Sequence, residues 1–220
     1  MPHHIAAIQS ATMERMTSVN DQLSQVAPTA EDVLNDTSSF SPRRWKTGWP
    51  HHLGHVPPYK DDAFASLTRR DVFSFAEDVH ASGFAKDALI DFIGAAFAFA
   101  AGKSPQTQLK LQQFLRNKGQ AASLLRSLRS LEGLTPAEQY EAVSATGLPG
   151  RFASVLVYFL AGPQTGESDA PVVLAEKVAS ELRVSTEDYG AYLAAVTAAR
   201  DEWDASAGLD AVEYALGRSV

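Results

Sequence analysis

Apolar residues recur along the chain at spacings of three and four, and stretches that alternate every second residue are nearly missing. The pattern predicts an all-α fold. Ile5, Ile8, Met16, Val19, Leu23 and Val26 mark one helical stripe, with Thr12 in its gap, and Pro28 ends it. From Asp36 to Lys60 the period disappears. The segment DTSSFSPRRWKTGWPHHLGHVPPYK is rich in Pro, Gly and Ser but holds Trp45 and Trp49, as expected of an ordered loop pinned by aromatics.

After Asp61 the chain reads as successive helices with recognisable ends. The first covers roughly Asp71 to Ala81 and stops before Gly83. The apolar run Ala85 to Ala101 is a core helix closed by Gly102. Ser104 and Pro105 supply a cap and first-turn proline for a helix to about Asn117, with Gly119 marking its end. Leu124, Leu125, Leu128 and Leu131 form the next buried stripe. Thr135, Pro136 and Glu138 open a short helix that terminates at Gly147. Further helices are expected over Pro171 to Leu182, Glu187 to Val196 and Asp210 to Leu216. This divides the chain into an extension, residues 1–60, and a helical domain, residues 61–220.

Composition narrows the classes available. With 220 residues, 45% of them hydrophobic and 20% charged, the chain can bury one sizeable core or two small ones, and one compact domain with an N-terminal extension is expected. Zero cysteines exclude disulfides, thiolate metal sites and cysteine nucleophiles, and they fit a reducing compartment. The start MPHHIAAIQS lacks the basic flank and apolar core of a secretory signal. The most apolar stretch, Ala88 to Ala101, is too short to span a bilayer and is interrupted by Asp91. A soluble cytoplasmic protein without a membrane partner is expected.

The net charge of −7 conceals an asymmetry. Residues 1–40 carry one Lys or Arg against five Asp and Glu, residues 41–131 thirteen against seven, and residues 163–220 four against eleven. Lys103 to Arg129 contains Lys103, Lys110, Arg116, Lys118, Arg126 and Arg129 and no acid. Such a segment is either a phosphate-facing surface or a solvated face balanced by acids elsewhere in the fold.

The segment GLPGRFASVLVYFLAG, Gly147 to Gly162, follows one helix and holds a tight Leu148-Pro149-Gly150 turn and an apolar helix, so it reads as a helix-hairpin-helix. Glycine lets the turn approach a phosphate, and free N–H groups at the next helix start favour an anion. Downstream, Tyr158-Phe159, Val178-Ala179, Tyr189, Tyr192-Leu193 and the run Val212 to Leu216 stand in order, and upstream lies FAFAAGKSPQTQLKLQQF, Phe97 to Phe114. Over roughly residues 70–220 this resembles the bacterial 8-oxoguanine DNA glycosylase (OGG) fold proteins of the helix-hairpin-helix DNA glycosylase superfamily. Residues 1–40 have no counterpart in it.

The resemblance implies an all-α glycosylase-like fold and a DNA partner, double- or single-stranded. It places DNA contacts at Gly147, Leu148, Pro149, Gly150 and Arg151. The basic segment adds Lys103, Lys110, Arg116 and Lys118. It also implies an Asp at the start of the helix after the hairpin and, in bifunctional members, a Schiff-base Lys. The Asp position, three before Val178, is Ala175, and no Lys occurs from Gly147 to Gly162. Glu176 is one helical step away, a rotation of about 100°. Asp169 reads as a helix cap ahead of Pro171, and Ser154 stands where the nucleophile is expected, able at most to position a water. The enzyme is therefore read as catalytically degenerate.

Other chemistry has little support. His51, His52 and His55 lie in a Pro-rich loop without a Cys partner, so neither a metal nor another cofactor is assigned. No phosphate-binding, dinucleotide-binding, serine-hydrolase or zinc-protease motif is present. Three readings remain: a degenerate DNA binder acting in repair, modification or defence, a protein-interaction subunit, and an active glycosylase on a modified base. The second would use residues 1–28 for a protein partner or homo-oligomer together with the acidic C-terminal region. The third would use Glu176 or Asp169 as its carboxylate.

Overall fold

Helix starts follow the local caps. In a computed structural model, which describes residues 19–166 and 169–218, the chain is helical apart from short connections and one pair of strands. Helix α1 covers residues 19–26 of the described part, and α2 Ala30–Leu34. Strand β1 (Thr37–Phe40) pairs antiparallel with β2 (Ala65–Thr68), Thr37 opposite Thr68 and Phe40 opposite Ala65. Between them lies α3 (Pro42–Gly48). Then follow α4 (Arg69–Ala81), α5 (Lys86–Ala101), α6 (Pro105–Arg116), α7 (Lys118–Leu128), α8 (Pro136–Ser144) and α9 (Gly150–Ala161). The last helices are α10 (Glu176–Leu182), α11 (Tyr189–Asp204) and α12 (Leu209–Arg218). None among the described residues is long and apolar enough to cross a membrane.

Capping boxes start α4, through Thr68 and Asp71, and α8, through Thr135 and Glu138. Ser104 Oγ accepts the Thr107 N–H at 3.2 Å and starts α6. The expected role of Gly119 is corrected. Asn117 ends α6 and starts α7 at once, its Oδ1 accepting the N–H groups of Gly119 and Gln120, so Gly119 lies inside the first turn of α7.

The chain forms two compact units, residues 34–163 and the described parts of residues 1–33 and 164–220. The expected boundary at residue 60 falls inside the first. That unit is built on two helices that are apolar nearly all round: ten of the sixteen residues of α5 are buried, and nine of the twelve of α9. The aperiodic segment after Asp36 is ordered around aromatics. Tyr59 stacks on Trp45 at 6.2 Å and meets Trp49 and Phe40 edge-on, and its hydroxyl donates to Gly94 O at 2.8 Å. Gly94 has no side chain because a Cβ there would run into Pro57 and the Tyr59 hydroxyl. Arg69, in the basic middle of the sequence, is buried. It donates to Asp36 Oδ2 and to the Tyr158 hydroxyl of α9, both at 3.2 Å.

In the other unit α12 packs on α10 and α11, and Val19 and Leu23 of α1 are buried. Ile5, Ile8 and Met16 of the predicted N-terminal stripe lie outside the described residues. The helix predicted over Pro171 to Leu182 is shorter than expected: residues 171–175 are extended and α10 begins only at Glu176. Asp169 therefore caps no helix there. Hydroxyl groups of α11 hydrogen-bond the backbone of Val172, Val173 and Ala175 in this stretch.

Candidate nucleic-acid interface

The turn between α8 and α9 is set by two glycines with different duties. Gly147 is exposed and has a φ of +85°, a left-handed conformation that suits glycine. Gly150 begins α9 and fits under the ring of Tyr140, whose hydroxyl would collide with a Cβ. The left-handed Gly147 ends the turn's first helix, where the sequence places that helix's stop, and Gly150 answers a packing constraint. Leu148 is buried and anchors the turn, while Pro149 precedes the helix without a side-chain cap.

The start of α9 is open. The N–H groups of Phe152 and Ala153 both reach Pro149 O, at 2.8 and 3.2 Å, which leaves those of Gly150 and Arg151 without an acceptor among the described residues. The positive end of the α9 dipole lies here, and the exposed Arg151 side chain adds a full charge. This combination suits an oxyanion such as a phosphate.

The basic segment meets this turn at the start of α7. A Cβ on Gly147 would stand 2.8 Å from Gln120 Nε2, so the Gln120 amide lies over the turn glycine, two residues after the exposed Lys118. Lys118, Ala122, Arg126 and Arg129 follow at spacings of four, four and three and form one exposed stripe of α7. Arg129 Nε is turned back to Phe84 O at 3.2 Å. Lys103 precedes α6 and Lys110 lies on it, both exposed and without an ion pair among the described residues. Arg116 differs from the other sequence-predicted contacts. Its Nη2 donates to Gly48 O at 3.3 Å while Gln112 Nε2 donates to Arg44 O and Trp45 O, so both side chains serve the carbonyl end of α3.

The remaining candidates lie apart from open chemistry. Ser154 is fully buried in α9 and donates to Arg151 O at 2.7 Å, a placement that gives neither a nucleophile nor a bound water access to a substrate. Asp169 and Glu176 are exposed, the former in an extended stretch and the latter at the first position of α10.

Ala175, where the resemblance implies an Asp, precedes α10 in extended conformation with no side-chain cap. Its N–H points to the Tyr192 hydroxyl at 3.4 Å, and that hydroxyl donates to Val173 O at 2.9 Å. Tyr189 does the same one step earlier: its hydroxyl donates to Val172 O at 2.7 Å and accepts from Val172 N at 3.0 Å. The two rings stack at 6.2 Å. Burial, reinforced by the charge of Glu213, pushes the Tyr192 phenol far above its usual range, so it remains a neutral hydroxyl. Sequence reading identified the two tyrosines as part of a pattern but missed this duty. The signal available was a spacing of three, which puts both hydroxyls on one helical face.

His51 and His52 are exposed on a short 3-10 turn. His55 Nε2 bonds Asp91 Oδ1 at 2.7 Å and ties its loop to α5, while burial raises the Asp91 carboxyl against the effect of that bond. No group of three or more metal-ligating side chains among the described residues is arranged to hold an ion.

A family model described as "Putative 8-oxoguanine DNA glycosylase OGG-like protein" matches residues 31–216. The match takes in the Trp-rich segment after Asp36, which the resemblance seen in the sequence did not reach. No curated protein and no solved structure matches the chain.

Proposed function

The chain belongs to the family of putative 8-oxoguanine DNA glycosylase OGG-like proteins, and from that premise we propose that it binds DNA through its hairpin without performing the family's base excision. The observation that carries this reading is the open start of α9: two unsatisfied N–H groups, the Arg151 charge, and a turn glycine covered by Gln120 beside Lys118. The departures supply the second half. Ala175 offers neither charge nor proton, the hairpin helix has no lysine, and Ser154 is sealed in the core. Such a protein acts in DNA repair, modification or defence in the cytoplasm.

The test is fluorescence anisotropy with single- and double-stranded DNA across a salt series, with base release from an 8-oxoguanine duplex measured in parallel. Replacing Lys118, Arg126 and Arg151 together with Ala should weaken binding and reduce the salt slope by up to about 3, near 0.9 per lost phosphate contact. An unchanged affinity and slope would sink the DNA reading and favour a protein partner, for which deletion of residues 1–28 is the next test. Base release abolished by Glu176→Gln or Asp169→Asn would overturn the catalytic half alone.

A further inference from the structure

The unit of residues 34–163 holds a cavity of about 380 Å³ on the C-terminal half of α9, away from the hairpin. His80 from the last turn of α4, Phe84 from the connection to α5, Leu131 and Glu132 from the loop before α8, Gln139 of α8 and Val157 of α9 line it. The walls are partly apolar. The polar groups share one sign, which follows from their hydrogen bonds.

His80 Nε2 lies 2.9 Å from Leu160 O, and a carbonyl can only accept, so Nε2 carries a proton and the bond selects the tautomer whose Nδ1 is an acceptor. Gln139 Nε2 reaches Leu134 O at 3.1 Å and Leu131 O at 3.4 Å, so its amide donors are used and Oε1 remains to accept. Glu132 is exposed at the rim, and its carboxylate has no ion-pair partner among the described residues. Helices α4 and α9 both end at this cavity, bringing the negative ends of their dipoles, and α9 has no basic residue in its last turn. Arg129, whose Nε donates to the Phe84 carbonyl at 3.2 Å, is not among the residues that line the cavity.

Phe84 provides an independent observation. Its φ is +60°, a region that bulky side chains rarely occupy, and it follows Gly83 at +63°. Its N–H bonds Val79 O at 2.8 Å, and its ring meets His80 edge-on at 5.2 Å. Glycine would hold this backbone without strain. The fold instead keeps an aromatic face at the cavity, the kind of local cost that accompanies ligand contact.

We propose that this cavity binds a compact organic cation of the amidinium or guanidinium class, a flat body carrying several N–H donors. Its donors meet His80 Nδ1, Gln139 Oε1 and Glu132, and its face meets the Phe84 ring. This site is independent of the DNA reading.

The experiment uses three probes with the same ring: benzamidine, benzamide and benzoate, titrated into the full chain and followed by NMR chemical shifts and thermal shift. Benzamidine should bind at roughly millimolar concentration or tighter. Benzamide should bind about tenfold more weakly, and benzoate should not bind. Glu132→Gln should weaken benzamidine roughly tenfold and leave benzamide unaffected. Phe84→Gly, which suits the left-handed backbone and so preserves folding, should weaken both, with DNA affinity unchanged. Binding of benzoate as strongly as benzamidine, benzamidine binding indifferent to both substitutions, or no binding by any probe would each overturn the proposal.

Discussion

Helices α9 and α10 both begin without a side-chain cap, at Pro149 and at Ala175, yet the backbone leading into them is held differently. At α9 the amides of Gly150 and Arg151 have no acceptor among the described residues and lie beside an exposed cation. At α10 the segment before the helix is tied from within the chain, the neutral hydroxyl of Tyr192 joining the Ala175 amide to the Val173 carbonyl. The start of α9 suits an oxyanion, and the backbone before α10 is tied down by two tyrosines. These two parts of a glycosylase-like protein can therefore be altered separately.

The largest expected effect comes from the hairpin. Gly150→Ala drives a methyl group into the Tyr140 hydroxyl, and Tyr140 is a buried, rigid ring that cannot swing aside. Chemical denaturation should show a loss of about 1–3 kcal/mol. Tyr140→Phe removes the colliding atom, so the double variant should recover part of the loss, and its coupling energy measures the contact. DNA affinity should fall in the single variant and return in the double. A Gly150→Ala protein of full stability would mean that Tyr140 does not set the start of α9.

Tyr192→Phe tests the other region. It deletes the hydroxyl that joins Val173 O to the Ala175 amide and should cost about 1–2 kcal/mol, with faster hydrogen exchange at Ala175. The salt slope of DNA binding should not move, and a change in that slope would break the separation between the two regions. The sign of the pH effect follows from the raised phenol. The hydroxyl's contribution is complete below the unfolded tyrosine value of about 10 and declines above it, as the unfolded chain ionises and the folded chain does not.

How far each region could be read from sequence depends on how far apart its partners lie. The starts of α6 and α8 were legible from Ser104 before Pro105 and from Thr135 with Glu138, whereas α4 starts at its Thr68–Asp71 capping box, two residues before the start read at Asp71. The hairpin was legible as a motif, since its turn residues are contiguous, although the packing of Tyr140 over Gly150 was not. Long-range ties were not. Arg69 counts as a surface cation until Asp36, 33 positions away, is seen to bury with it, and the Gly48 carbonyl that Arg116 meets lies 68 positions from it. Residues 171–175 suit a helix by pattern, but the hydroxyls of Tyr189 and Tyr192, 17 to 19 positions on, hold them extended. The polarity of the cavity beside His80 rests on which carbonyls its side chains meet, information that no spacing contains.

The smallest expected effect separates the two regions most sharply. Ala175 already has the extended backbone of a helix cap, with φ −117° and ψ 125°, but no side chain that can accept the N–H groups of the first turn of α10. Ala175→Asp supplies that acceptor and a negative charge at the positive end of the helix dipole. It should stabilise the protein by about 1 kcal/mol, a rise of roughly 2–4 °C in Tm for a chain of this size. If the cap forms while 8-oxoguanine duplexes remain intact, losing the carboxylate was one of several departures, and the missing lysine and buried Ser154 also bar the reaction. If the same variant releases the base, the rest of the site has been preserved, and one side chain separates a DNA binder from an enzyme. Destabilisation instead would show that the tyrosine hydroxyls had already taken the space the carboxylate needs, so that this end of the site closed as a unit.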